Sequence, residues 1–252
     1  MSPSGRLWAG TGRHLAVFSA LIYLETWAEV DRALGRLGFA LMATRDHADA
    51  QAMFVMGGTV QGGDPRPLGS SPRVSEDFAA FVFRGTEASR ARWRDLIDNL
   101  GTARRWSGAG RAHSGYLTGL ERTRDAARAW AEKLPSAVPL YVTGHSMGGA
   151  IATLFAAWYY RKHPADHLAG LVTFGAPKAL DGEAAARIAC PIHRYAVPLD
   201  FARAWPPSCR LIHPAPAIAL RSALRWPGPV SRHSIDNYVA SLGGHGARIM
   251  GD

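Results

Sequence analysis

The segment from Leu140 to Tyr160 constrains the fold more than any other part of the chain. A short apolar run, Leu140 to Thr143, leads without a spacer into Gly144-His145-Ser146-Met147-Gly148, and Ala150 to Tyr160 then continues almost wholly apolar. The first run has strand length and the second, read as Ser146 to about His163, has helix length. A strand can pass into a helix this abruptly only if side chains are absent where the two backbones meet. Glycines two residues before and two after Ser146 meet that need. The turn sets Ser146 at a helix N-terminus, where backbone N–H groups and the helix dipole favour negative charge. A glycine-rich turn with a capping serine is the plainer alternative. His145 reads as a packing and orienting residue, not as a base.

Around this elbow the pattern alternates. Phe39 to Ala43, Gln51 to Met56, Asp77 to Phe83, Leu168 to Phe174 and Ile192 to Val197 read as strands, and Arg210 to His213 is strand-like. Continuous apolar runs of this length suit strands covered on both faces. Helices are expected over Ser114–Leu134, stopped by Pro135, over Asp181–Ile188 and over Ser234–Leu242. Strand, helix, strand in succession calls for an α/β fold: a mainly parallel central sheet with right-handed crossovers and helices on both faces. With 47% hydrophobic residues in 252, no repeat and no low-complexity linker, the economical reading is one domain over 1–252.

At the N-terminus, Arg6, Arg13 and His14 precede apolar Leu15 to Leu24, which imitates a secretory leader, but no small-x-small cleavage site follows. Leu15, Phe18, Ile22, Val30, Ala33 and Leu34 keep a helical spacing, so a first packed helix is expected and a cytoplasmic location is read slightly ahead of a secreted one. No apolar run reaches the roughly 18 to 20 residues a spanning helix needs. Cys190 and Cys209, the two cysteines, lie in no CxxC or His-rich cluster and read as reduced core thiols, with no metal site implied.

A serine nucleophile needs a base, and the base an orienting acid; in a parallel sheet both should come from the carboxyl ends of strands. Asp200 stands three residues beyond Val197, where a strand ends, and is the best acid; Asp166 precedes its strand, and Asp181 and Glu183 open a helix. Of the later histidines, His213 is held by Pro214 and His245 lies among glycines near the chain end. His233, in a loop before a helix, has the freedom to reach Ser146, and the order Ser, Asp, His is one that α/β-hydrolases use.

Four motifs then carry a resemblance. Phe83-Arg84-Gly85-Thr86 resembles F-R-G-S/T, His113-Ser114-Gly115-Tyr116 resembles H-x-G-F/Y, Val142 to Ala150 resembles a serine elbow, and Thr173-Phe174-Gly175-Ala176-Pro177 resembles T-F-G-x-P. In this order, over about residues 15 to 242, the chain resembles the fungal-type class 3 lipases of the α/β-hydrolase fold. The resemblance implies Ser146 as nucleophile, Asp200 as acid within a D-x-V-P-x-x-P-P-like stretch ending at Pro207, and His233 as base. It also implies oxyanion-hole N–H groups from Thr86 and Met147. Two departures stand out: Leu199 replaces the usual Asn before the acid, and Ala179-Leu180-Asp181 replaces a Gly-Asn element, which keeps Asp181 in competition. The interval from Asp200 to His233 is short for the family, so trimmed pocket loops are expected.

The expected activity is hydrolysis of carboxylic esters of acylglycerols or similar lipids through an acyl-enzyme, with no cofactor. A phospholipase, a thioesterase or a carboxylesterase for soluble esters would use the same three residues. Trp93, Leu96, Ile97 and Leu100 make one apolar helical stripe, either a lid over the acyl pocket, as in the family, or a helix fixed on the sheet. Phe78, Phe81 and Phe155 read as core. The formal net charge of +9 favours anionic surfaces, and seven arginines lie between Arg84 and Arg111. Contact with an anionic lipid surface is therefore expected, or else the charge serves solubility. An inactive hydrolase fold acting as a basic membrane-surface or nucleic-acid binding module is the non-enzymatic alternative; a filled triad argues against it, and no nucleic-acid motif supports it. Nothing in the sequence fixes the oligomeric state.

Overall fold

In a computed structural model, residues 3–47, 50–57, 78–85, 103–106, 110–162, 168–207, 210–223 and 229–243 are described. The chain enters through two helices, α1 (Pro3–Leu21) and α2 (Trp27–Arg36), and then forms β1 (Phe39–His47), β2 (Ala50–Gly57) and β3 (Ala79–Phe83). A small hairpin, β4 (Ala103–Arg105) and β5 (Arg111–His113), precedes α3 (Ser114–Ala131). The elbow segment forms β6 (Leu140–His145) and α4 (Met147–Lys162), followed by β7 (Leu168–Phe174), α5 (Gly182–Ala185) and β8 (Ile192–Ala196). A 3₁₀ turn at Phe201–Ala204, β9 (Ala217–Ala219), α6 (Pro229–His233) and α7 (Ile235–Ser241) complete the described elements.

Seven strands make one sheet in the order β1-β2-β3-β6-β7-β8-β9. The β1–β2 and β2–β3 pairs are antiparallel, and every pair from β3 to β9 is parallel. The register places Phe83 beside Gly144 and His145 beside Phe174, so the carboxyl ends of β3, β6 and β7 lie side by side. That alignment brings three of the four sequence motifs to one edge of the sheet.

Alternation along the central strands divides the core. Ala79, Phe81 and Phe83 face a cluster with Leu117, Leu120, Leu154 and Phe155 from α3 and α4. Ala80 and Val82 face the other way, onto Leu15, Phe18, Leu34, Tyr238 and Val239 from α1, α2 and α7. Helices thus cover both faces, and the α/β expectation holds. Phe78, Phe81 and Phe155 are buried as expected; each full burial of such a ring stabilises the fold by roughly 2 to 3 kcal/mol.

Four expectations about elements are corrected. The first helix is two, because Thr26 and Glu29 form a capping box that starts a new helix: Glu29 N–H donates to Thr26 Oγ1 at 3.2 Å and Thr26 N–H to Glu29 Oε2 at 3.0 Å. Arg210–His213 is not a strand; Ile212 makes a single antiparallel bridge to Leu180 before Pro214 and Pro216, which lack N–H donors, interrupt pairing. The sheet edge is taken by β9 instead. The loop expected to carry His233 is the helical turn α6, with His233 its last residue. The predicted helix at 181–188 is shorter, with Asp181 as its N-cap.

Candidate active site

Ser146 occupies the turn between β6 and α4 with φ 57, a left-handed conformation that a non-glycine residue adopts at a cost of order 1 to 2 kcal/mol. The elbow is tight because a Cβ at Gly144 would lie 2.6 Å from the Gly148 carbonyl oxygen, and one at Gly148 would run into the carbonyl of Phe83. The Ser146 N–H donates to the Phe174 carbonyl at 2.9 Å, tying the strained residue to β7.

Three side chains from separate elements meet here. The Ser146 hydroxyl lies 2.9 Å from His233 Nε2, and His233 Nδ1 lies 2.9 and 3.0 Å from the two Asp200 oxygens. An N–H on Nδ1 donates to the carboxylate, which leaves Nε2 as the acceptor of the serine proton. Ser146, His233 and Asp200 are 1, 2 and 3% exposed. The serine is therefore buried together with its partners.

Asp200 has two further donors. It accepts from the Ala202 N–H at 2.9 Å and from the Tyr238 hydroxyl at 2.5 Å, while Val197 N–H donates to the Tyr238 oxygen at 3.2 Å. Burial pushes the carboxyl pKa up, but the hydrogen bond and charge of His233, with the Tyr238 and Ala202 donors, outweigh it and leave the pKa below the usual value. Burial and the adjacent carboxylate push the Tyr238 phenol well up, so it stays a donor. Gly175 makes room: with φ +57, a Cβ there would come within 2.8 Å of Asp200 Oδ2 and 3.2 Å of His233 Nδ1. Tyr238 was not singled out from sequence; only its place five residues beyond His233 could have pointed to it.

Asp181 does other work. Its oxygens accept from Arg111 N–H at 2.9 Å and Ala184 N–H at 3.0 Å, joining β5 to the start of α5. His213 donates to the Arg203 carbonyl at 2.7 Å. Met147 is the first residue of α4, whose first-turn N–H groups point out of the helix end. Thr86 and the stripe Trp93, Leu96, Ile97 and Leu100 lie outside the described residues, as do Cys209, His245 and Arg90, Arg92 and Arg94. Cys190 is a buried free thiol. Among the described residues no three His, Cys, Asp or Glu side chains are grouped to hold a metal ion.

Leu199, beside the acid, has φ 65 and is 75% exposed. Asn tolerates this conformation best among non-glycine residues, which accounts physically for the Asn usual in the resembling family.

Two buried histidines make the fold acid-sensitive. Burial lowers His113 from 6.5 to about 4; among the described residues neither of its ring nitrogens has a hydrogen-bond partner, and its ring stacks on Tyr116. Burial, and next the charge of His233, lowers His145 to about 3. The unfolded chain binds these protons near pH 6.5 and the folded chain does not, so stability is full above pH 6.5 and declines as pH falls towards 4. The shift at His113 corresponds to roughly 3 kcal/mol. Urea melts between pH 7 and 4 are expected to show this decline, with a shallower slope in His113→Phe; an unchanged slope would remove His113 as its source.

The sheet and the elbow define the α/β-hydrolase fold. Residues 80–201 match the family described as lipase (class 3). This match covers a little under half of the chain, and over it the chain is similar to the class 3 lipases. Curated lipases of Rhizopus niveus and Rhizopus oryzae are each 33% identical over 87 residues, 33% of this chain and 22% of theirs, so the match spans about a fifth of those relatives. Among solved structures, lipase II from Rhizopus niveus aligns with TM-score 0.63 and 18% identity, over 87% of this chain and 82% of that one. A triacylglycerol lipase whose catalytic centre is a serine protease triad aligns with TM-score 0.61 and 19% identity, over 89% and 82% of the two chains.

Proposed function

We propose that this chain is a serine hydrolase of carboxylic esters, acting on acylglycerols or similar lipids. The reading rests on one observation: a buried, continuous hydrogen-bonded chain from Ser146 through His233 to Asp200, beginning at a strained elbow. His233 Nε2 takes the Ser146 proton as the oxygen attacks the ester carbon, and the carbonyl π pair moves onto oxygen. Asp200 holds the imidazole tautomer and stabilises the imidazolium. Collapse of the tetrahedral intermediate breaks the bond to the alcohol, which leaves with the proton from His233. Water then repeats the sequence on the acyl-enzyme and releases the acid.

Met147 and Thr86 are the proposed oxyanion donors, each worth about 3 kcal/mol of barrier. Two placements support this assignment. Met147 opens α4, and a Cβ at Gly85, which precedes Thr86, would come within 3.3 Å of Ser146 Cβ and 2.7 Å of the His145 carbonyl oxygen. The reading treats 1–252 as one hydrolase domain, supported by a single sheet drawn from β1 to β9. Acylglycerols are preferred over phospholipids, thioesters or soluble esters because the matched relatives are lipases. Hydrolysis of p-nitrophenyl esters from C2 to C16, as monomers and as emulsions, tests it: activity should rise on emulsified long chains. No hydrolysis of any ester would favour an inactive, basic binding module.

The reading includes docking on an anionic lipid surface. Exposed Pro198 and Leu199 project an apolar tip beside the acid, Arg232 Nη1 donates to the Pro198 carbonyl at 3.3 Å, and Arg203 is exposed nearby. An apolar tip among arginines fits a lipid surface, each well-placed cation adding about 1 kcal/mol at low salt. Turnover should be faster on vesicles containing phosphatidylglycerol than on phosphatidylcholine alone. The advantage should shrink by about 0.5 M salt, where screening shortens the Debye length, and in an Arg90, Arg92, Arg94 triple-alanine variant. Equal rates on both vesicles at every salt concentration would reduce the charge to a solubility feature.

A further inference from the structure

His145 is buried beside the serine, yet its ring takes no part in the proton path derived above. Its Nε2 lies 2.7 Å from the backbone carbonyl of His233, and its Nδ1 lies 3.3 Å from the Tyr23 hydroxyl. A carbonyl oxygen can only accept, so Nε2 carries the hydrogen. With a pKa near 3 the ring is neutral at pH 7 and has one hydrogen only, which leaves Nδ1 as a lone pair accepting from Tyr23. The other tautomer would set the Nε2 lone pair against the His233 carbonyl and break a 2.7 Å contact to the residue that must meet Ser146.

Tyr23 is itself fixed. The Arg84 guanidinium lies 5.3 Å over its ring, and Arg84 Nη1 donates to Gln51 Oε1 on β2. A Cβ at Gly85 would run into the Tyr23 hydroxyl, so that hydroxyl fills the space beside the end of β3. The His145 and His233 rings are 4.8 Å apart between centroids.

We propose that Tyr23 and His145 are positioning residues: His145 Nε2–H anchors the His233 backbone so that its ring meets Ser146, and the Tyr23 hydroxyl, donating to Nδ1, holds the His145 ring in that orientation. The inference rests on the esterase reading for its kinetic consequence, but not for its structural one. Misplacing a base by about 1 Å can cost up to about 100-fold in rate.

The test uses the full chain with Tyr23→Phe, His145→Leu and His145→Gln, whose amide keeps a donor. Nitrogen-15 NMR of the His145 ring is expected to show the Nε2–H tautomer in the wild type and, in Tyr23→Phe, a displaced Nδ1 signal as that lone pair loses its donor. With soluble p-nitrophenyl butyrate, Tyr23→Phe and His145→Leu should lower kcat by about 10-fold or more with little change in KM, and His145→Gln should recover part of the loss. An unmoved Nδ1 signal together with wild-type kcat in Tyr23→Phe would overturn the proposal, as would equal losses in His145→Leu and His145→Gln. If the wild type hydrolyses no ester, the function falls and the Nδ1 signal alone decides the positioning role.

Discussion

Ser146→Ala is expected to abolish ester hydrolysis, by about 10⁴-fold or more, while the chain still folds. The substitution removes the oxygen 2.9 Å from His233 Nε2 and keeps the Cβ, so neither the elbow backbone nor the cluster around α4 changes. Alanine bears the same left-handed φ as serine at little difference in strain. Thermal unfolding should therefore shift by only a few degrees, since losing one hydrogen bond costs about 1 kcal/mol. Hydrolysis of p-nitrophenyl esters by purified variant and wild type checks this, and an active Ser146→Ala enzyme would end the serine-hydrolase reading.

Asp200→Asn is expected to cost about 10³ to 10⁴ in kcat, because an amide facing His233 Nδ1 favours the tautomer with its hydrogen on Nε2, where the serine proton must go. Tyr238 sharpens the expectation: its hydroxyl donates to one carboxylate oxygen and the Ala202 N–H to the other, so one Asn side chain must satisfy Tyr238, Ala202 N–H and His233 together. Asp181→Asn should leave kcat nearly unchanged and lower stability by about 1 kcal/mol, the cost of weakening the cap on α5 and the tie to Arg111. The reverse ranking of the two variants in kcat would transfer the role of acid to Asp181.

The elbow was legible in the sequence because its constraint is local. Glycines two residues either side of Ser146, an apolar strand before and an apolar helix after act within about ten residues, and hydrophobic period alone separates the two elements. The parallel sheet followed from the same kind of signal, repeated from β6 to β8. The N-terminal break was also locally encoded, in Thr26 and Glu29, but the helical spacing of apolar residues runs across it and masks the cap. The strand read at Arg210 was apolar enough in Leu211 and Ile212, but Pro214 and Pro216 limit its pairing to the bridge from Ile212 to Leu180.

Asp200 and His233 could be ranked by topology, since residues beyond parallel strands gather at one edge, yet the sequence left Asp181 in competition. Tertiary structure separated them: Asp181 spends its oxygens on backbone donors of β5 and α5, and Asp200 spends its own on His233 and Tyr238. Tyr23, 122 residues from His145, and Tyr238, 38 from Asp200, carried no local signal, because a buried hydroxyl acquires its role from the lone pair or oxygen it meets. The sequence by itself determined the elbow, the alternating layers and the residue types available for chemistry, all set by short-range sterics and hydrophobic period. Only the tertiary structure decided which donor meets which acceptor, because a hydrogen bond depends on angstrom-scale distances that chain order does not encode.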